Sequence, residues 1–393
     1  MKLLHVIGSM NPEMGGPCQT IRNFAPRFVE QGNTLEVVCL DDSNSDYMGG
    51  DAFRIYALGH GRGRWNYHPA LSPWLNENLG RFDVVVLNGL WQFQGYALWK
   101  AAKHRRMPPY YIFPHGMLDP WFQKMSVRPL KALRNWIFWK LFQHRVVHEA
   151  AGLLFTCQEE QRLARLPFRP YSPKQEMVVG LGLPEPPVYH AKMKAAFTEK
   201  CPGIQQKAYF LFLGRIHPKK GVNLLIKAYS EICGSTSKSP FPNVVIAGPG
   251  VETSYGQSML KLASKICPPH SIYWPGMLTG DAKWGALYNC DAFVLPSHQE
   301  NFGVAVVETL ACGRPVLISD QVNIWREIKE CGAALVEGNS VAGTADLLLD
   351  WIRLSIKAQS NMALRAKPCF RLYFSTESAT RKFLAAVISG TKC

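Results

Sequence analysis

The sequence predicts an α/β fold of doubly wound parallel sheets, and three observations lead there. Short apolar runs rich in β-branched and aromatic residues recur along the chain, separated by helix-length segments. A strand buried on both faces, as in a parallel sheet, needs such a run rather than an alternating one. The runs are bounded by Gly, Pro or polar turns, as buried strands of that length should be. The alternation is interrupted once, at the proline-rich segment 183–190 (Leu-Pro-Glu-Pro-Pro-Val-Tyr-His), which cannot continue a sheet or a helix.

In chain order, the first-half strands are expected at Leu3–Ile7, Leu35–Leu40, Val84–Leu87, Tyr110–Phe113, Leu153–Phe155 and Met177–Val179. Those of the second half are expected at Tyr209–Leu213, Val244–Ile246, Ile272–Trp274, Ala292–Leu295 and Pro315–Ile318. Helices are expected at about 19–31, after the first strand, and at 378–388, where Arg381 and Lys382 add charge. The implied organisation is a first Rossmann-like domain over 1–183, a linker over 184–207 and a second Rossmann-like domain over 208–365. A closing helical segment, 366–393, is expected to cross back toward the first domain. Ligands of open parallel sheets sit at the carboxyl ends of the strands, so two such sheets are expected to face each other across a cleft.

The 393 residues suffice for two domains. A hydrophobic fraction of 47% with 19% charged residues excludes a disordered or collagen-like chain. No apolar stretch approaches the ~18–20 residues that span a bilayer. The opening run is short and broken by His5, so a cleaved signal peptide is not expected. The 11 cysteines are scattered, with no C-x-x-C, which argues for reduced thiols and a cytoplasmic location. Net charge is +15, which asks for an anionic partner. The charge is concentrated: residues 97–145 hold ten Lys or Arg against one acid, Asp119.

Four post-strand segments carry chemistry. In Leu295–Val316 a polar loop leads through Gly303 into a helix of about two turns that closes at Gly313, with Glu300 in the loop and Glu308 on the helix. Free N–H groups at a helix start suit phosphate, and carboxylates accept hydrogen bonds from vicinal sugar hydroxyls. In 212–225, Arg215, Lys219 and Lys220 cluster at a Gly-flanked strand end, a setting for a pyrophosphate. In 10–18, Gly15 and Gly16 occupy a strand-to-helix turn and permit close approach of a ligand. In 113–121, His115 precedes a glycine, and Asp119 either binds acceptor hydroxyls or caps the following turn. Thr156–Glu159 reads as a capping box, with Thr156 as N-cap and Glu159 at N3. No Asp-x-Asp and no His/Cys cluster with ligand spacing occurs, so no metal and no cofactor is expected.

Glu300 and Glu308, with the following Gly-Arg-Pro-Val, resemble the E-x7-E signature of the retaining, nucleotide-sugar-dependent glycosyltransferases of family 4, especially those of bacterial polysaccharide and lipopolysaccharide assembly. Arg215 and Lys220, eighty residues upstream of Glu300, match that family's basic pair. The resemblance implies the two-Rossmann GT-B architecture and transfer of a hexosyl unit from a UDP- or GDP-sugar to a hydroxyl of a growing glycan. It implies that Arg215 and Lys220 hold the diphosphate, Glu300 and His115 meet the donor sugar, and Glu308 binds the ribose. Asn301, Phe302, Gly303 and Val304 would present amides to sugar and phosphate, with Gly15 and Gly16 on the donor side too. The family has an Asn-Gly pair where this chain has Gly180-Leu181-Gly182. A nucleotide-sugar epimerase of the same architecture and a non-catalytic nucleotide-sugar-binding protein are the alternatives.

The stretch Lys124–Arg145 interleaves basic residues with Leu130, Leu133, Trp136, Ile137, Phe138, Trp139, Leu141 and Phe142. It reads either as a basic amphipathic helix on an anionic membrane, fitting a lipid-linked glycan acceptor and a peripheral seat on the inner face of the cytoplasmic membrane, or as a core helix. No RNA-binding motif accompanies it, so nucleic acid is not an expected partner.

Overall fold

A computed structural model describes residues 1–103, 107–123, 129–205, 207–235 and 241–390. The chain divides into two compact units, 1–184 with 375–393, and 185–374. The last helix, Thr376–Gly390, belongs to the first unit and packs on the helix Gly16–Glu30. Within the stretch read as a linker, residues Ala191–Lys200 form a helix of the second unit, packed on the helix Gly280–Asn289.

The first unit is a seven-stranded, all-parallel sheet. Its strands are β1 (Lys2–Val6), β2 (Thr34–Cys39), β3 (Arg54–Ala57), β4 (Val84–Asn88), β5 (Tyr110–Phe113), β6 (Gly152–Phe155) and β7 (Glu176–Val178), in the order β3-β2-β1-β4-β5-β6-β7. Both faces are covered. Leu4, Val6, Val85 and Leu87 enter the core of one face, and Leu3, Val84 and Val86 that of the other. This is the period of two acting on a run with no polar face. On the second face Phe24 meets Phe28 and Phe383 at ring-centre distances of 4.9 and 5.1 Å. That cluster clamps the closing helix to the sheet.

The second unit is a six-stranded parallel sheet. It comprises β8 (Tyr209–Leu213), β9 (Asn243–Ala247), β10 (Ile272–Gly276), β11 (Ala292–Leu295), β12 (Val316–Ser319) and β13 (Ala334–Glu337), in the order β10-β9-β8-β11-β12-β13. In each sheet the order reverses once, between β1 and β4 and between β8 and β11. Loops leaving such neighbours diverge to opposite faces and leave a crevice at the carboxyl ends of the strands.

Two strands escaped the sequence reading, β3 and β13. Both are edge strands and only partly buried, so neither needs a continuous apolar run. The capping box is corrected as well. Cys157, not Thr156, is the N-cap of the helix Gln158–Ala164, its Sγ accepting from the Glu160 N–H. The side chain that reaches back is that of Glu160, not Glu159. Its carboxylate accepts from the Thr156 N–H (2.7 Å) and hydroxyl (2.5 Å).

Candidate functional site

In the second unit, the crevice between β8 and β11 is built by backbone fit. The loop after β8 makes a tight turn at Pro218–Lys220, capped by His217, whose ring Nδ1 accepts from the Lys219 N–H (3.1 Å). Gly221 closes it with φ +71°, and a Cβ there would collide with the Pro296 carbonyl oxygen. The His298 N–H donates to the Lys219 carbonyl (2.8 Å), locking the loop after β11 onto the loop after β8. Gly248, after β9, has no room for a side chain against the Gly214 carbonyl. Three strand ends therefore converge.

On this frame Lys220 forms an ion pair with Glu300, the two side chains 19% and 18% exposed. Glu300 is held at both sides: its N–H donates to the Gln321 carbonyl and its carbonyl accepts from the Asn323 N–H, both 2.9 Å. Arg215 is exposed on the same loop. The imidazole of His217 titrates below its ordinary value, first through burial and then through the nearby positive charges of Arg215, Lys219 and Lys220. Four cationic or potentially cationic groups thus crowd one strand end, the electrostatic setting that draws a polyanion.

Gly303, with φ +76°, is the N-cap of the helix Val304–Ala311 and offers no side chain to its free N–H groups. Its neighbour Phe302 is buried edge-on against Phe374 (5.8 Å), which anchors the turn. Asn301 accepts a hydrogen bond from Asn323 (3.4 Å), and Val304 is exposed at the helix start. Glu308 lies one face further along and pairs with Lys283 at 2.8 Å. Lys283 was missed because nothing in the sequence around 280–289 marks it. Its ammonium also sits 4.1 Å from the centre of the Trp284 ring.

In the first unit, the crevice between β1 and β4 opens into a cavity of about 890 Å³. Ser9 follows β1, Asp41 follows β2, and Trp91 and Gln92 follow β4, so the cavity sits over the strand ends. Gly15 lines it at the N-cap of the helix Gly16–Glu30, with φ +101°, and nothing lies near where a Cβ of Gly15 or Gly16 would be. His115 is half-buried and is tied to the lining residue Asn88. Its Nε2 donates to Oδ1 of Asn88 (3.1 Å), and Asn88 in turn donates to Nδ1 of His5 (3.0 Å). Burial pushes the His115 imidazole down to about 3, so it is neutral near pH 7 and its Nδ1 is an acceptor. The ring is stacked on Phe113 at 4.3 Å. Glu160 steadies this loop by accepting the Gly116 N–H (2.5 Å). Asp119 is buried, and its Oδ1 accepts the Trp121 N–H (2.8 Å) at the start of the turn Pro120–Gln123.

Lys124 and Arg128 lie outside the described residues. Beyond them, Pro129–Phe138 is an α-helix, followed by one π-type turn, Trp139–Gln143, and the helix His144–Glu149. Trp139 is buried and stacked on Phe168 (4.7 Å), while Leu130, Leu133, Trp136, Ile137 and Leu141 are exposed. Among the described residues no helix is long and apolar enough to cross a membrane, and no group of three or more His, Cys, Asp or Glu is placed to hold a metal ion.

Two family models match the chain: "Glycosyl transferase 4-like domain" over residues 15–182 and "Glycosyl transferases group 1" over residues 197–367. Each model spans somewhat under half of the chain, and the two together support a glycosyltransferase of group 1. Among curated group members it resembles an uncharacterized glycosyltransferase of Methanocaldococcus jannaschii, 30% identical over 128 residues, 32% of this chain and 31% of that protein. It also resembles the D-inositol 3-phosphate glycosyltransferase of Mycobacterium leprae, 27% identical over 180 residues, 44% of this chain and 40% of that one. These matches span well under half the length of those curated relatives. Among solved structures, Anabaena HepE in complex with UDP and glucose superposes with a TM-score of 0.74 at 14% identity, covering 99% of this chain and 100% of that one. Sucrose-phosphate synthase from Thermosynechococcus elongatus does so with a TM-score of 0.73 at 15% identity, each chain covered fully. At such identities the likeness speaks for the fold, which is GT-B.

Proposed function

We propose that the chain is a retaining, metal-independent glycosyltransferase that moves a hexosyl unit from a UDP- or GDP-sugar to a hydroxyl of a growing glycan, of the exopolysaccharide, O-antigen or capsule kind. The observation that carries the reading is the Lys220–Glu300 pair, set where β8 and β11 diverge and beside the uncapped helix start at Gly303. Arg215 and Lys220 take the diphosphate, and the amides of Asn301, Phe302, Gly303 and Val304 supply further donors. Glu308, steadied by Lys283, takes the ribose hydroxyls. His115 offers its neutral acceptor nitrogen to a sugar hydroxyl, and Gly15 and Gly16 let the donor approach closely.

In the reaction the C1–O bond to the diphosphate breaks while C1 bonds to the acceptor oxygen on the same face. The acceptor proton passes to the departing diphosphate oxygen. The charge that develops there is met by Arg215 and Lys220, work that a divalent ion does in other enzymes. A uridine donor is supported by the UDP and UDP-glucose that HepE binds. The exposed apolar face of Pro129–Phe138, with Lys131, Arg134 and Lys140 beside it, supports a peripheral seat on the anionic inner face of the cytoplasmic membrane.

Calorimetry against UDP, GDP, ADP and their common sugars, followed by mass spectrometry and proton NMR of the product in EDTA, tests the reading. A retained anomeric configuration and activity in EDTA are expected. Acceptor-free isomerisation of the nucleotide sugar would instead point to the epimerase.

A further inference from the structure

Asn88, the last residue of β4, fixes where two imidazoles carry their hydrogens, and its part in the transfer rests on the glycosyltransferase reading. The residue is buried, and its side chain meets three groups. The amide nitrogen donates to the Val86 carbonyl (3.3 Å) and to Nδ1 of His5 (3.0 Å). The amide oxygen accepts from Nε2 of His115 (3.1 Å). The two ends of an amide have the same shape, so a neighbour with only one possible role decides which end is which. That neighbour is the Val86 carbonyl, which can only accept. The NH2 end therefore lies beside it, and the oxygen is left for His115. Nε2 of His115 then carries the ring hydrogen and Nδ1 keeps a lone pair. By the same step His5 accepts through Nδ1 and carries its hydrogen on Nε2.

Neither ring leaves this arrangement by taking a second proton near pH 7. His5 is 6% exposed, and burial, then the neighbouring His115, hold its imidazole down to about 3. Burial does the same to His115. His5 borders a cavity of about 30 Å³ that Thr20 and Gly180 also line, with room for one water to accept its Nε2–H. His115 is held from further directions. Its backbone sits at φ +50°, an uncommon conformation for a residue other than glycine. Its ring lies flat on Phe113, and Glu160 takes the N–H of the next residue, Gly116. A strained backbone that its surroundings over-determine is a mark of a pre-organised group. The Nδ1 of His115 makes no hydrogen bond among the described residues, so one ring nitrogen is tied down and the other is left open.

We propose that Asn88 is a positioning residue for glycosyl transfer, locking His115 in its Nε2-protonated form so that a lone pair, not an N–H, meets a hydroxyl of the donor sugar. That lone pair accepts from the hydroxyl. It also sets the negative end of the ring dipole toward a sugar whose C1 gains positive charge as the diphosphate leaves. In the other tautomer the dipole is reversed, so the loss falls on turnover and not on nucleotide binding.

The test is long-range proton–nitrogen NMR of the full chain labelled at histidine, which tells a protonated ring nitrogen from an unprotonated one, run beside donor kinetics and UDP titration. The His115 signals are identified by their loss in His115→Gln. In the parent at pH 7.5 His115 is expected to be protonated at Nε2 alone. Asn88→Leu removes the acceptor, and should leave His115 a mixture of tautomers and lower kcat at least tenfold while UDP affinity stays within twofold. Asn88→Asp keeps an oxygen for His115, and should hold its tautomer and keep kcat within fivefold of the parent, while the oxygen that replaces NH2 draws the His5 hydrogen to Nδ1. The proposal is overturned if His115 of the parent is protonated at Nδ1, if Asn88→Leu leaves the tautomer unchanged, or if the tautomer shifts and kcat stays within twofold. Should Asn88→Leu fail to fold, the parent spectrum and Asn88→Asp decide, and a tenfold loss of kcat in Asn88→Asp with the His115 tautomer kept overturns the proposal equally. A parent without transfer activity counts against the glycosyltransferase reading, whereas the parent spectrum counts for or against the tautomer by itself.

Discussion

Replacing Lys220 by Met separates the folding role of the Lys220–Glu300 pair from its chemical one. Each side chain is about a fifth exposed. Removing one partner of a fully buried pair costs about 3–5 kcal/mol, and of an exposed pair about 0–1 kcal/mol. A loss of about 1–2 kcal/mol is therefore expected, or about 2–8 °C in Tm for a unit of this size. That leaves nearly all molecules folded at assay temperature, since domains hold about 5–15 kcal/mol in reserve. Turnover should fall much further. A cation aimed at charge that develops in the transition state contributes about 100- to 1,000-fold in kcat, or ~2.7–4 kcal/mol. Glu300→Gln should keep UDP affinity, because Lys220 is then released to the diphosphate, yet still lower turnover. The assay is UDP or GDP release with the best donor, run beside thermal melts and UDP titration. Activity of Lys220→Met within threefold of the parent, or a loss that merely follows the unfolded fraction, would refute the assignment.

Three further outcomes are expected. Gly221→Ala drives a Cβ onto the Pro296 carbonyl oxygen at φ +71°, so denaturant melts should show a loss of about 2 kcal/mol or more and calorimetry a weaker UDP affinity as the two loops part. Glu160→Gln leaves one acceptor oxygen where two now serve, so its NH2 opposes either the Gly116 N–H or the Thr156 N–H, and thermal melts should show a loss of about 2–3 kcal/mol of stability. Acid should destabilise the first unit early. His5 and His115 are both held down to about 3, so between that value and 6.5 the unfolded chain binds more protons than the folded one. Stability then drops as pH falls through 6.5 toward 3, by about 1.4 kcal/mol per pH unit for each group, and melts of His5→Phe between pH 7.5 and 5 should show a shallower slope.

How much of this was legible depends on burial. Tyr110–Phe113, Tyr209–Leu213 and Ala292–Leu295 were bounded to the residue, because each is a central strand with no polar position for solvent to claim. At the edges β3 and β13 went unseen, because solvent removes the pattern that betrays a strand. Glu300, Glu308, Arg215 and Lys220 stood out as charged residues just past apolar runs. Their partners did not stand out in the same way. Lys283 comes from a helix distant in sequence, and Glu160 reaches Gly116 across 44 positions.

The sequence by itself determined the alternation of buried strands and helices, and with it the parallel sheets and the strand ends where chemistry gathers. Hydrophobic period and turn residues act locally, so they can be read locally. Only the tertiary structure decided which carboxylate met which cation, that burial holds the His115 imidazole neutral near pH 7, and that Arg64, Lys131 and Arg134 line one cavity in which Asp41 is the acid among the described lining residues. Those are properties of distance and dielectric, which arise when segments far apart in the chain are packed against one another.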